Sequence, residues 1–75
     1  MKQILSKIPE TSLKRLERYA REGYASGDAK YRLDCELKII VLTSVLNDCG
    51  VITFQERIEL SSYFRNRIYN GGNAE

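Results

Sequence analysis

The sequence predicts an all-α fold, a three-helix domain with a long central αα-hairpin made by its second and third helices. Apolar residues recur at helical spacing in three segments, which is the periodicity of amphipathic helices. A glycine stop followed by a capping motif joins the second segment to the third. With 75 residues, 43% hydrophobic and 29% charged, the chain has the composition of one small folded domain, expected to span residues 1–75.

The first nine residues are predicted to form an N-terminal arm, because they are too weakly patterned for a long helix. Ile4, Leu5 and Ile8 are the apolar residues of this arm. They are expected either to make a short turn that packs on the domain or to dock on a partner. Pro9 suits a first helical turn or the position just before it.

The first helix is predicted from Thr11 onward, where apolar residues repeat at intervals of three and four. Thr11 or Ser12 is expected to cap its N-terminus. Gly23 is expected to end it, because glycine is common just beyond a helix C-terminus. The apolar helical positions are Leu13, Leu16, Ala20 and Tyr24.

The second helix is predicted from its N-cap Asp28 to about Asp48. Its centre is apolar on nearly every side, so the run 39–43 also fits a β-strand. We prefer the helix because the flanking residues continue the helical register. The predicted core-facing stripe consists of Leu33, Leu37, Ile40, Val41, Ser44 and Val45.

The turn between the second and third helices carries the clearest local signals. Gly50 is expected in the left-handed conformation that ends a helix, with Val51 folding back on the last turn. Thr53 and Glu56 have the spacing of a capping box, in which each side chain binds a free amide of the helix start. These signals predict an αα-hairpin.

The third helix is predicted over residues 54–69, and residues 70–75 are predicted to be a frayed C-terminal tail. The glycines and asparagines that follow position 69 favour the end of the helix there. The apolar positions of the third helix are Phe54, Ile58, Leu60, Phe64 and Ile68.

Self-association is predicted from the second helix. A helix that is apolar all round must be covered all round, and each large aliphatic side chain left in water forfeits about 1.5–3 kcal/mol. We therefore expect a homodimer in which the second and third helices of both copies form a four-helix core. The alternative is a monomeric three-helix bundle. The expected self-association surface comprises Ile39, Ile40, Leu42, Val45 and Leu46.

A basic strip on the first helix is the main candidate for a partner surface. Residues 1–32 contain eight Lys and Arg against four Asp and Glu, although the whole chain carries only +2. A basic strip with nearby aromatic residues can follow a phosphate backbone. The alternative is a solvated helix face, supported by the pairs Arg18–Glu22 and Glu17–Arg21. The candidate residues are Lys14, Arg15, Arg18, Arg21, Tyr19 and Tyr24, with a second small cluster of Arg65, Arg67 and Tyr69.

Catalysis, cofactor binding and metal binding are not expected. The chain contains no His, which removes the commonest general base and the commonest transition-metal ligand. It also lacks a Gly-rich phosphate loop and a C-x-x-C pair. Cys35 and Cys49 are too far apart along the predicted helix for a disulfide and are expected as reduced structural thiols. The alternative is a pair of intermolecular or redox-sensing cysteines. No run approaches the ~20 apolar residues of a membrane span, so we expect a cytoplasmic protein with no membrane partner.

Protein–protein interaction is the function that demands the fewest special residues. The chain contains five Tyr, a residue type that interfaces favour. We therefore expect a small non-enzymatic regulatory protein of the inhibitor, antirepressor or adaptor type, a class that includes phage and plasmid proteins of this size. The alternative is a nucleic-acid-binding protein that uses the basic strip. A DNA-reading helix-turn-helix at Gly50 is disfavoured, since Leu46 and Glu56 stand where that motif has a small and an apolar residue.

Overall fold

Helices make up most of the described chain. The computed structural model describes residues 1–71 and contains four helices in that range. No strand occurs among these residues, so the predicted all-α fold is confirmed and the strand alternative for 39–43 is wrong. Of the predicted frayed tail, Asn70 belongs to the last helix, and residues 72–75 lie outside the described residues. The helices are α1 (Lys2–Leu5), α2 (Glu10–Ser26), α3 (Ala29–Asp48) and α4 (Phe54–Asn70).

The N-terminal arm packs on the domain. Its first residues form the short helix α1, which is the one helix beyond the three predicted, and Ile4 and Ile8 are buried in the core. The Lys7 ammonium lies 2.6 Å from the Glu56 carboxylate of α4. Of the two alternatives for the arm, packing on its own domain is therefore confirmed.

Helix α2 begins earlier and ends later than predicted. Pro9 is its N-cap and makes no side-chain capping bond, so neither Thr11 nor Ser12 caps the helix. Gly23 does not end the helix. The last residue of α2 is Ser26, and the C-cap is Gly27, which has a φ of 70°. Gly23 is instead a buried residue within α2. Because glycine has no side chain, the neighbouring helices can approach α2 closely at this position.

The hairpin between α3 and α4 forms as its local chemistry predicts. Gly50 has a φ of 78°, and the Val51 amide donates to the Leu46 carbonyl at 3.0 Å. At the start of α4, both hydrogen bonds of the Thr53–Glu56 capping box are present. Each of these hydrogen bonds joins groups only a few residues apart, which is why the sequence alone predicts them.

Helix α3 turns a different face to the core from the predicted one. The helix begins after the predicted N-cap Asp28. Of the six residues in the predicted stripe, Ile40 and Ser44 are half-buried and the other four are exposed. Because the helix is apolar around its whole circumference, periodicity does not distinguish the two faces. The buried α3 residues are Cys35, Ile39, Thr43 and Leu46.

The core is completed by one side of α4 and one side of α2. Both helices pack on α3 and on each other, so the three long helices enclose a single apolar cluster. Among residues 1–71, no helix has both the length and the unbroken apolar sequence needed to cross a bilayer. The buried residues that α2 and α4 contribute are Leu16, Ala20, Gly23, Leu60, Phe64 and Ile68.

Candidate interaction surface

A row of four exposed aliphatic side chains runs along α3, and we call it the α3 ridge. Its members Leu33, Leu37, Val41 and Val45 have exposed fractions of 53%, 52%, 63% and 47%. They are spaced four residues apart, so they lie on one side of the helix, and the buried residues of α3 lie on the other. Single exposed apolar residues are ordinary, whereas a contiguous apolar surface marks an interaction site.

The predicted self-association surface is only partly available on a single chain. Ile39 and Leu46 are buried in the core, with exposed fractions of 0% and 5%. The prediction that these two residues belong to the self-association surface is therefore wrong. Ile40 and Leu42 are half-buried, and Val45 is exposed. The ridge adds three exposed residues that the predicted set missed, because the sequence pattern assigns them to the core. Self-association itself stays a prediction.

A shallow groove between α2 and α3 borders the ridge. Arg15 stands in this groove with no carboxylate within 4.0 Å among the described residues. Lys38, in contrast, lies 3.1 Å from the Asp34 carboxylate. The hydrogen bond and the charge of Asp34 raise the pKa of the Lys38 amine. The groove is lined by three ridge residues, Leu37, Val41 and Val45, together with Arg15, Tyr19, Lys38 and Leu42.

The basic strip of α2 is exposed as a whole, and we call it the α2 cationic face: Lys14, Arg15, Arg18 and Arg21. Lys14 lies 4.0 Å from the Glu10 carboxylate, an exposed pair that contributes little energy. The predicted pair of Arg18 with Glu22 is wrong, since their charged atoms do not come within 4.0 Å. The same holds for Arg21 and Glu17. Within residues 1–71, three of the four cations therefore have no carboxylate partner.

The two tyrosines predicted beside this strip occupy different environments. Tyr19 is half-buried, and its ring centroid lies 5.5 Å from the Arg18 guanidinium carbon and 5.8 Å from the Lys38 ammonium. Tyr24 is 51% exposed and lies against Gly71 at the end of α4. Only Tyr19 therefore stands between the cationic face and the groove.

The predicted C-terminal basic cluster is engaged within the chain. Nη2 of Arg65 lies 2.8 Å from the Glu36 carboxylate, and the Tyr69 hydroxyl donates to the same carboxylate at 2.8 Å. This bond to Glu36 raises the pKa of the Tyr69 phenol. The Arg67 guanidinium is half-buried beside two aromatic rings of α4. The contacts of Arg65 and Tyr69 with Glu36 join α4 to α3 and leave the cluster less free charge than the sequence suggests.

The two cysteines differ in exposure. Cys35 is buried in the core, and burial raises the pKa of its thiol. Cys49 is exposed at the end of α3. A buried neutral thiol packs as a small apolar group, so Cys35 belongs to the core.

The chain matches no protein-family model, no curated protein and no solved structure. Its own exposed surfaces are therefore the basis for proposing a function.

Proposed function

We propose that the chain is a cytoplasmic, non-enzymatic regulatory protein that acts by binding another protein, in the manner of an inhibitor, an antirepressor or an adaptor. The observation that carries the proposal is the α3 ridge, whose four aliphatic side chains are about half exposed on the side away from the core. Burial of apolar surface is the main driving force of protein association. A helix that only had to close its own core would carry polar residues on this side.

The surroundings of the ridge also favour a protein partner. An apolar row along a helix is complementary to the apolar row of a helix from another chain. The neighbouring groove adds the cation Arg15, which has no carboxylate partner among residues 1–71, and the half-buried ring of Tyr19. An apolar centre with charged and aromatic residues at its edge is the usual composition of a protein interface.

Affinity capture from the native host tests the proposal with wild type, Val41→Asp and the matched control Gln55→Asp. Val41 is 63% exposed, so the variant is expected to fold. Gln55→Asp places the same charge on an exposed position of α4, outside the ridge. We expect a protein that wild type and the control retain and that Val41→Asp binds more than about tenfold more weakly, as measured by calorimetry with the purified partner. Equal binding by all three forms contradicts the proposal.

Nucleic-acid binding is the second candidate, and the α2 cationic face favours it. Three of its four cations have no carboxylate partner in the described chain, so their charge is available to phosphates. Phosphate contacts release counterions, which makes such binding strongly dependent on salt.

Fluorescence anisotropy with duplex DNA tests this candidate. Arg18→Glu and Lys2→Glu change the net charge equally, but only Arg18 lies on the α2 cationic face. If the face binds DNA, affinity falls steeply with salt, and Arg18→Glu weakens binding much more than Lys2→Glu. No binding at low salt, or equal losses in the two variants, removes the candidate.

A further inference from the structure

We propose that the α3 ridge packs against the ridge of a second copy of this chain, with the two α3 helices antiparallel and crossing at a shallow angle. The inference rests on the proposed function, since the same ridge is the contact surface, and a second copy and another protein would therefore occupy it in turn.

Two unpaired charges of opposite sign stand at the ends of the ridge. Lys30 lies three residues before Leu33, and Asp48 lies three residues after Val45. Neither charge has an ion-pair partner within 4.0 Å in the part of the chain that the structure describes. The two residues are separated by about five whole helical turns, so both lie on the same side of α3, in line with the middle of the ridge.

The symmetry of these charges favours an antiparallel pair. The midpoint between Leu37 and Val41 is equally far along the helix from Lys30 and from Asp48. A two-fold axis through this midpoint places Leu37 opposite Val41 of the second copy. It also places Lys30 opposite Asp48 of the second copy at both ends of the contact. A parallel pair in register would instead bring Lys30 to Lys30 and Asp48 to Asp48, which is repulsive.

The side chains between the ends fit the same arrangement. In this register Asp34 lies opposite Ser44 of the second copy, so a carboxylate meets a hydroxyl that can donate to it. Lys38 lies next to the two-fold axis and therefore near Lys38 of the second copy, but within each chain its ammonium is 3.1 Å from the Asp34 carboxylate, which offsets its charge. A shallow crossing of about 20° keeps the ends of the two helices close enough for the Lys30–Asp48 pairs.

Sedimentation equilibrium of the purified chain tests the partner, and a charge-reversal cycle tests the orientation. We expect wild type to have twice the 8.6 kDa mass of one chain. Lys30→Asp and Asp48→Lys each turn two attractive pairs into repulsive ones, so each is expected to weaken the dimer about tenfold at low salt. The double variant K30D/D48K recreates the pairs with their signs exchanged, and it is expected to restore the wild-type dissociation constant.

Val41→Lys is expected to give monomers whose circular dichroism retains the wild-type helix content, and Gln55→Lys is expected to remain dimeric. A wild type that stays monomeric throughout the micromolar range overturns the inference. The proposed function survives that result if Val41→Asp still loses a partner that Gln55→Asp retains. A dimer that persists in Val41→Lys overturns the inference as well, and failure of the double variant to restore the dimer overturns the antiparallel orientation.

Discussion

Gly23 shows how a single residue sets the distance between helices. A Cβ atom added to it would lie 3.1 Å from Cγ2 of Ile68 and 3.3 Å from Cβ of Cys35. Both distances are shorter than ordinary van der Waals contact, so the absence of a side chain allows α2 to approach α3 and α4 closely. The sequence alone suggests a helix stop, because glycine serves that purpose more often than it serves close packing.

Gly23→Val is expected to destabilise the fold by about 2–3 kcal/mol more than Ala25→Val, because it adds volume to a filled site. Ala25 is exposed on the same helix, so its variant measures what valine costs relative to alanine, whereas Gly23→Val replaces a poorer helix former than valine. Urea unfolding monitored by circular dichroism gives both free energies of unfolding. A loss in Gly23→Val no larger than that in Ala25→Val would contradict the prediction.

Thr43 shows why polarity alone does not locate the core of α3. Its side chain is fully buried, and its hydroxyl lies 2.9 Å and 3.0 Å from the carbonyl oxygens of Ile39 and Ile40. A threonine can satisfy its hydroxyl on the preceding turn of its own helix, so its burial leaves no polar group unpaired. The sequence shows that position 43 carries a hydroxyl, but it does not show that backbone carbonyl groups of the same helix accept its hydrogen bond.

At the scale of helices, the sequence predicts ends better than faces. The end of α3 at Gly50 and the start of α4 at Thr53 depend on bonds within a few residues, and both are confirmed. The orientation of α3 depends on where α2 and α4 lie. A helix that is apolar on all sides does not show in its sequence which side will face the core. For this reason the ridge at Leu37 and Val41, predicted to face the core, is the part of the candidate site that sequence analysis misses.

The orientation of α3 predicts a sharp contrast between neighbouring aliphatic residues. Ile39→Ala is expected to lower the free energy of unfolding by about 2–5 kcal/mol, because Ile39 is fully buried and its loss leaves a cavity. Val41→Ala is expected to change the free energy of unfolding of the monomer by less than about 0.5 kcal/mol, because Val41 is 63% exposed. Chemical denaturation at a concentration below dimer formation measures both. The reverse order would mean that α3 is rotated from the orientation described.

The contact between the N-terminal arm and α4 predicts a pH dependence. The Lys7 ammonium and the Thr53 amide both donate to the Glu56 carboxylate and hold its pKa below the ordinary value of 4.5. A carboxylate with a lowered pKa stabilises the fold above its unfolded-state pKa and loses that effect as the pH falls through its folded-state value.

We therefore expect the free energy of unfolding of wild type to fall more steeply below about pH 4.5 than that of Glu56→Gln. Urea unfolding over a pH series gives the two curves. Glu10→Gln serves as the control, since Glu10 is exposed and lies 4.0 Å from its nearest cation. Parallel curves for wild type and Glu56→Gln would show that the arm contact contributes nothing to the acid sensitivity.

At the scale of the whole molecule, the two candidate surfaces differ in how far the sequence reveals them. The α2 cationic face is predictable, because arginine and lysine are exposed in almost any fold. The α3 ridge is not, because an aliphatic residue is assigned to the core by default and is identified as exposed only when the core is seen to be filled by other residues. Ile39 and Leu46 fill it here, and the ridge is left exposed.

Folding and self-association of the whole chain are expected to be linked through this ridge. A ligand that binds only the folded state raises the unfolding midpoint by mass action, and a second copy is such a ligand. We expect the midpoint temperature of wild type, measured by scanning calorimetry, to rise with protein concentration. The midpoint of Val41→Lys is expected to stay constant and to meet the wild-type value at high dilution, since Val41 contributes little to the monomer core. A wild-type midpoint that does not change with concentration would mean that the ridge remains in water, and the fold would then have to be stable with its most apolar helix only half covered.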